Sequence, residues 1–186
     1  MPFHHIPEPG GHRGRESALT LCGVVPETCS SLPDAVALGR LNPKRTLKGH
    51  TKKVYSMQWS ETANELVSCG QEGVVIVWDG PGAVKLHAAA PSCSWVMTCG
   101  ISPSGEFIAS GGLDNICSVF DLSKLESNNG APVAELAEHG GHLSSCRFLS
   151  NEQILTSSGD KTCILWNIET GKPVTTFASH SGDVLR

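Results

Sequence analysis

The sequence predicts an all-β fold built from a four-stranded unit repeated around an axis. Three observations carry that prediction. Turn-forming residues are frequent, with 20 Gly and 11 Pro among 186 residues, which favours short strands over long helices. Apolar residues alternate over short runs, as in Val54-Tyr55-Ser56-Met57-Gln58-Trp59, the period of a strand with one buried face. One pattern of residues also recurs along the chain, and such a recurrence is to be sought before any local reading.

The first unit runs from Leu47 to Asp79 and the third from Leu136 to Asn167. Both open on a His (His50, His139) and continue into an alternating strand. A polar turn follows, then a second strand carrying a small hydroxyl residue (Ser68, Thr156). After a tight acidic turn, a last strand closes on Trp78 or Trp166. A divergent unit lies between them, from about Ser92 to Asp121. It keeps Ser110 and Asp114 but has Phe120 in place of the Trp. The closing aromatics at 78, 120 and 166 match the ~40–45-residue period of a propeller blade. A fourth unit begins at Phe177 and runs to Arg186. The expected domains are therefore 1–43, disordered or poorly ordered, and 44–186, a partial propeller of about three four-stranded blades plus the start of a fourth.

Residues 1–43 are rich in Pro, Gly, His and Ser, with neither strand nor helix periodicity, a composition that does not build a core. One short ordered patch is expected near Leu19–Val25. The apolar run Ala18–Val25 lacks the charge placement and cleavage site of a signal peptide. His4, His5 and His12 have no Cys or carboxylate at ligand spacing. No metal and no cofactor is expected. The net charge of −4 lacks the clustered basic excess of a nucleic-acid binder, and no apolar run reaches the ~18 residues needed to span a bilayer. Of eight cysteines, six lie in strand-like runs, and no CxxC pair occurs. They read as reduced, buried thiols.

The recurring polar residues can form a buried hydrogen-bond chain. Indole only donates, carboxylate only accepts, and hydroxyl and imidazole do both. The expected sets are His50, Ser68, Glu72 and Trp78, then His139, Thr156, Asp160 and Trp166. Glu72 stands where the repeat usually has Asp, so its turn should close less well. The second unit has neither His nor Trp, and its chain should be incomplete. A Ser/His/acid set could be mistaken for a hydrolase triad. Its recurrence in each blade, its indole partner and the absence of a G-x-S-x-G elbow favour architecture over catalysis. No P-loop or G-x-G-x-x-G is present.

Three stretches go beyond this general pattern: KVYSMQW (Lys53–Trp59), SWVMTCGISPSGEFIASGGLDNICSVFDL (Ser94–Leu122) and HLSSCRFLSNEQILTSSGDKTCILWNIETG (His142–Gly171). They closely resemble the WD-repeat β subunit of heterotrimeric G proteins, and the resemblance covers roughly Arg45 to Arg186. It implies a seven-bladed propeller, here shortened to about three blades. Its top face and one rim would bind the GDP-bound α subunit and, after nucleotide exchange, effector proteins.

Carried over by motif, the α-subunit and effector contacts are Lys53, Tyr55, Trp95, Met97, Leu113, Asn115 and Asp183, with Ile76 and Lys85 at the edge of the first blade. Tyr55, Trp95 and Met97 are side chains of the kind that dominate binding hot spots. The alternative for Trp95 is that it fills a gap between blades. The family often has Lys where Val74 stands and an aromatic where His142 stands, so part of the contact should be weaker.

In the family, an N-terminal helix pairs with the γ subunit as a coiled coil, and residues 1–43 contain no heptads. The strand around Arg45–Leu47 completes the family's last blade, and in a chain of three blades it is expected to lack a partner. The implied role is a non-enzymatic scaffold in receptor signalling. It would be cytoplasmic and held at the inner face of the plasma membrane through its partners. A generic WD-repeat adaptor and a non-functional shortened product are the alternatives.

Overall fold

A computed structural model describes residues 17–22 and 42–185, all but the first six with their side chains. No α-helix occurs among the described residues. Twelve of the strands form three antiparallel four-stranded sheets. The first sheet contains β3 (Val54–Trp59), β4 (Glu65–Gly70), β5 (Val75–Asp79) and β6 (Val84–Ala89). The second contains β7 (Val96–Ile101), β8 (Phe107–Gly112), β9 (Cys117–Asp121) and β10 (Ala134–Leu136). The third contains β11 (Leu143–Phe148), β12 (Gln153–Ser158), β13 (Cys163–Asn167) and β14 (Lys172–Phe177). Each sheet is a meander in chain order, as short strands joined by tight turns require.

The remaining strands, β1 (Ser17–Cys22) and β2 (Pro43–His50), pair antiparallel with each other. This corrects the expectation that the strand around Arg45–Leu47 has no partner. A strand edge is a row of unpaired N–H and C=O groups that favours any extended segment able to reach it. Ser17–Cys22 supplies such a segment, so part of 1–43 is ordered. The rest of that span, with His4, His5, His12 and Cys29, lies outside the described residues.

The sequence unit and the sheet are out of step. Leu136 opens the third sequence unit but ends the fourth strand of the second sheet. Each repeat therefore spans two neighbouring sheets. Packing follows this stagger. Val67, Val75 and Val77 of the first sheet meet Val96, Cys99, Ile108 and Phe120 of the second. Ala109, Cys117 and Val119 of the second meet Cys146, Ile154, Ile164 and Trp166 of the third. Leu47 of β2 joins Leu66, Ile76 and Trp78 on the other face of the first sheet. Gly49 is needed there, because a Cβ at that position would stand 2.7 Å from the Trp78 ring.

β9 is therefore buried at every position, as a strand covered on both faces must be. In β13, buried Ile164 and Trp166 alternate with half-buried Cys163, Leu165 and Asn167, the pattern of one covered face. The hydrogen bond that the Cys69 thiol makes to Cys99, together with burial, pushes Cys69 far above the ordinary range, and Cys117 is raised in the same way by Cys146 and burial. Cys69, Cys93, Cys99, Cys117, Cys146 and Cys163 are all free thiols. No helix among the described residues is long and apolar enough to cross a membrane.

Candidate protein-binding surface

Two buried hydrogen-bond chains fix the first and third sheets. Trp78 Nε1 donates to Ser68 Oγ at 2.8 Å, and Ser68 Oγ lies 2.7 Å from His50 Nε2. His50 Nδ1 meets the Glu72 carboxylate. The acceptor-only carboxylate places a proton on Nδ1, and Nε2 lies where it can accept from the serine hydroxyl. The third sheet repeats this through Trp166, Thr156, His139 and Asp160 at 2.8, 2.7 and 2.8 Å. Ser68 and Thr156 are fully buried, so neither hydroxyl can meet a substrate. The second sheet has no such chain. Phe120 is buried there, and Ser110 Oγ is buried without a hydrogen-bond partner.

The two acidic turns differ. Asp160 also accepts from the Thr162 hydroxyl and from the backbone N–H groups of Thr162 and Gly140. Glu72 leaves Oε2 buried with no partner. An unmade buried hydrogen bond costs about 1–3 kcal/mol. Glu72→Asp is therefore expected to raise stability by about 1 kcal/mol, read as a higher urea midpoint with an unchanged slope.

Burial works to raise the Asp160 pKa, but hydrogen bonds from Thr162, His139 and Gly140 outweigh it and hold the carboxyl below the usual carboxylate range. A lowered folded-state pKa gives stability that is present above the unfolded value of about 3.9 and is lost as pH falls through the folded value. Stability of the wild type should fall on acidification below about pH 5. In Asp160→Asn, urea midpoints taken along a pH series should fall less steeply over the same interval.

The ends of these strands carry the surface. At one end lie the loops entering β3, β7 and β11 and the turns β4–β5, β8–β9 and β12–β13. Tyr55 is half-buried and Trp95 is 38% exposed, and their rings stack with centroids 6.2 Å apart at 22°. Leu113 stands beside them, 53% exposed, with its N–H donating to the Trp95 carbonyl at 3.4 Å. Cys93 Sγ donates to the same carbonyl at 3.2 Å.

Gly112 permits this approach, since a Cβ there would lie 2.0 Å from the Trp95 oxygen. Asn115 adopts φ +66°, a conformation Asn tolerates better than most residues. Lys53 is exposed on the loop before β3, and Met97 is half-buried two residues beyond Trp95. Asp183 is exposed at the same end of the third sheet. Its neighbour Val184 donates its N–H to the Ser158 carbonyl and accepts from the Ser144 hydroxyl.

Trp95, Tyr55 and Leu113 thus come together. Lys53, Met97, Asn115 and Asp183 share their end of the sheets. Lys85 is exposed on the outer strand β6, away from this end. Ile76 departs from its expected place at the blade edge. It is 1% exposed and packs with Leu47, Leu66 and Trp78, because β5 is covered on both faces. Val74 packs against the same cluster. Gly112 and Cys93 were not singled out in the sequence, where only the Gly-Gly of GGLDN hinted at a close backbone approach.

Residues 18–186 match the family described as G protein beta WD-40 repeat protein. The chain belongs to this family. The G-protein β-family chain is 48% identical over 159 residues to a guanine nucleotide-binding protein subunit beta of Lymnaea stagnalis, which covers 86% of the chain and 46% of that relative. It is also 48% identical over 158 residues to the subunit beta-1 of Caenorhabditis briggsae, covering 85% and 46%. The chain thus spans about half the length of these relatives. Among solved structures, the β-family chain is similar to the RRP9 WD40 repeats (TM-score 0.66) and to U3-55K (TM-score 0.65). Each likeness is at 21% identity and covers 75% of this chain and 43% of the other. At that identity the likeness shows the WD40 propeller fold alone.

Proposed function

We propose that this chain is a non-enzymatic scaffold of heterotrimeric G-protein signalling that binds the GDP-bound α subunit. The observation that carries the reading is the stacked Tyr55–Trp95 pair with Leu113 beside it. This is an apolar patch, held rigid by backbone hydrogen bonds, on an otherwise polar strand end. Rigid aromatic anchors in such a setting are what binding hot spots are made of. Lys53 and Asp183 supply polar contacts around it, and Met97 and Asn115 complete the patch. After nucleotide exchange the same patch serves effector proteins. Lys85 forms a second, lateral contact on β6. The chain acts in the cytoplasm, at the inner face of the plasma membrane, through its partners.

The test is nucleotide dependence. The immobilised full chain is expected to retain a GDP-bound α subunit and to release it when a non-hydrolysable GTP analogue is added. Equal retention of both nucleotide states, or of neither, would remove the proposal in favour of a general WD-repeat adaptor.

A further inference from the structure

The other end of the sheets carries a groove that the surface described above does not use. Two cavities, of about 560 and 430 Å³, open there and share Glu106 and Phe107 at the start of β8. They adjoin at these two residues, so the groove they make reaches from the first sheet on one side to the third on the other. Its floor is apolar in the second cavity, between the second and third sheets. Phe107 is half-buried against the second core, Ile168 is 9% exposed, and Val133 is left 41% exposed. An exposed Val beside an aromatic ring, inside a concave surface, is what a pocket for a partner's apolar side chain requires. The Ser104 N–H donates to Asn151 Oδ1 at 3.2 Å, tying the second-sheet loop to the third. The groove is thus braced across the joint between blades.

The rim has one sign of charge. Glu65, Glu106, Asp121 and Glu126 line the first cavity, and Glu106, Glu152 and Glu169 line the second. Neither cavity has a Lys or Arg in its lining. Asp121 is satisfied by Lys124 at 2.8 Å and by Ser123. Among the described residues, the five glutamates have no ion pair. Lys124, paired with the rim residue Asp121, and Lys172 at the start of β14 are cations at this end of the sheets, and the His87 ring lines the first cavity. Carboxylates around a concave apolar floor focus a negative potential into it. That field repels nucleic acid and anionic lipid, and it attracts a cationic chain.

We propose that this groove docks a basic peptide segment of a partner protein, with a large apolar side chain seated against Phe107, Val133 and Ile168 and flanking Lys or Arg side chains on the glutamate rim. The site lies at the opposite strand ends from Trp95, so the chain can hold two proteins at once.

The experiment measures fluorescence anisotropy of a dye-labelled five-residue peptide, a central leucine flanked on each side by one lysine and one arginine. It is titrated with the full chain at low salt, beside the same peptide with serine at its centre. The leucine peptide is expected to bind several-fold more tightly than the serine peptide. Its affinity should fall at least tenfold in the double variant Glu106→Gln/Glu152→Gln and stay unchanged in Trp95→Ala. Circular dichroism of each variant establishes that it is folded. Equal binding of the two peptides would mean charge attraction without a pocket, and would overturn the proposal. So would undiminished binding to the glutamine variant, no binding at all, or a sedimentation profile showing the groove closed by a second copy of the chain.

Discussion

Trp166→Ala is expected to lower stability by about 3–5 kcal/mol, the cost of removing a fully buried large aromatic from a packed core. Trp166 is 0% exposed and sits in the cluster joining the second and third sheets. Its loss also takes a donor from Thr156 Oγ1, which leaves His139 as the main partner of that hydroxyl. A domain holds only about 5–15 kcal/mol in total, so this one change should leave a chain that unfolds at low urea. Trp166→Phe separates the two contributions. The second sheet already buries Phe120 at the corresponding place. The Phe variant should therefore keep most of the packing and lose about 1–2 kcal/mol for the missing hydrogen bond. Equilibrium urea unfolding of the three proteins checks both values. Equal losses in Ala and Phe would mean that the indole hydrogen bond, and not volume, holds the joint.

Trp95→Ala is expected to weaken binding of the GDP-bound α subunit by about 30-fold or more, corresponding to at least ~2 kcal/mol for a hot-spot aromatic. Trp95 is 38% exposed and stacked on Tyr55, so its removal costs the folded chain little while stripping the patch of its largest face. Leu113→Ser should also weaken binding. The two effects should not add, since Leu113 donates its N–H to the Trp95 carbonyl and shares the patch. Trp59 gives the control. It is 40% exposed but belongs to the opposite end of β3, and Trp59→Ala should change α-subunit affinity less than twofold. Calorimetric titration of each variant measures these differences.

The three sheets were legible because their signal is redundant. Trp78, Phe120 and Trp166 mark the same place in each, and the full hydrogen-bonding set recurs in the first and third. What the sequence hid has a physical reason in each case. Ser17–Cys22 overlaps the ordered patch expected near Leu19–Val25, but its pairing with the edge of β2 is a long-range contact that no local pattern announces. The stagger between sequence unit and sheet was hidden because β10 has only three residues. Ile76 was placed at a surface because motif position says nothing about which faces are covered, and β5 is covered on both. The aromatic patch was legible as residue types, but its rigidity was not. That depends on Gly112 letting the Trp95 carbonyl approach the β8–β9 turn. The acidic groove was illegible altogether. Glu65, Glu106, Glu126, Glu152 and Glu169 are scattered along the chain, and only the sheets bring them to one end.

In the proposed function one end of the sheets, and not the other, receives the α subunit. Hydrogen–deuterium exchange of the full chain, alone and with a GDP-bound α subunit, tests it most directly. Exchange should slow in the segments around Tyr55, Trp95, Leu113 and Asp183, with no change around Gly105–Phe107 and Asn151–Gln153. Slowing confined to the second group, or absent from the first while the complex is formed, would contradict it.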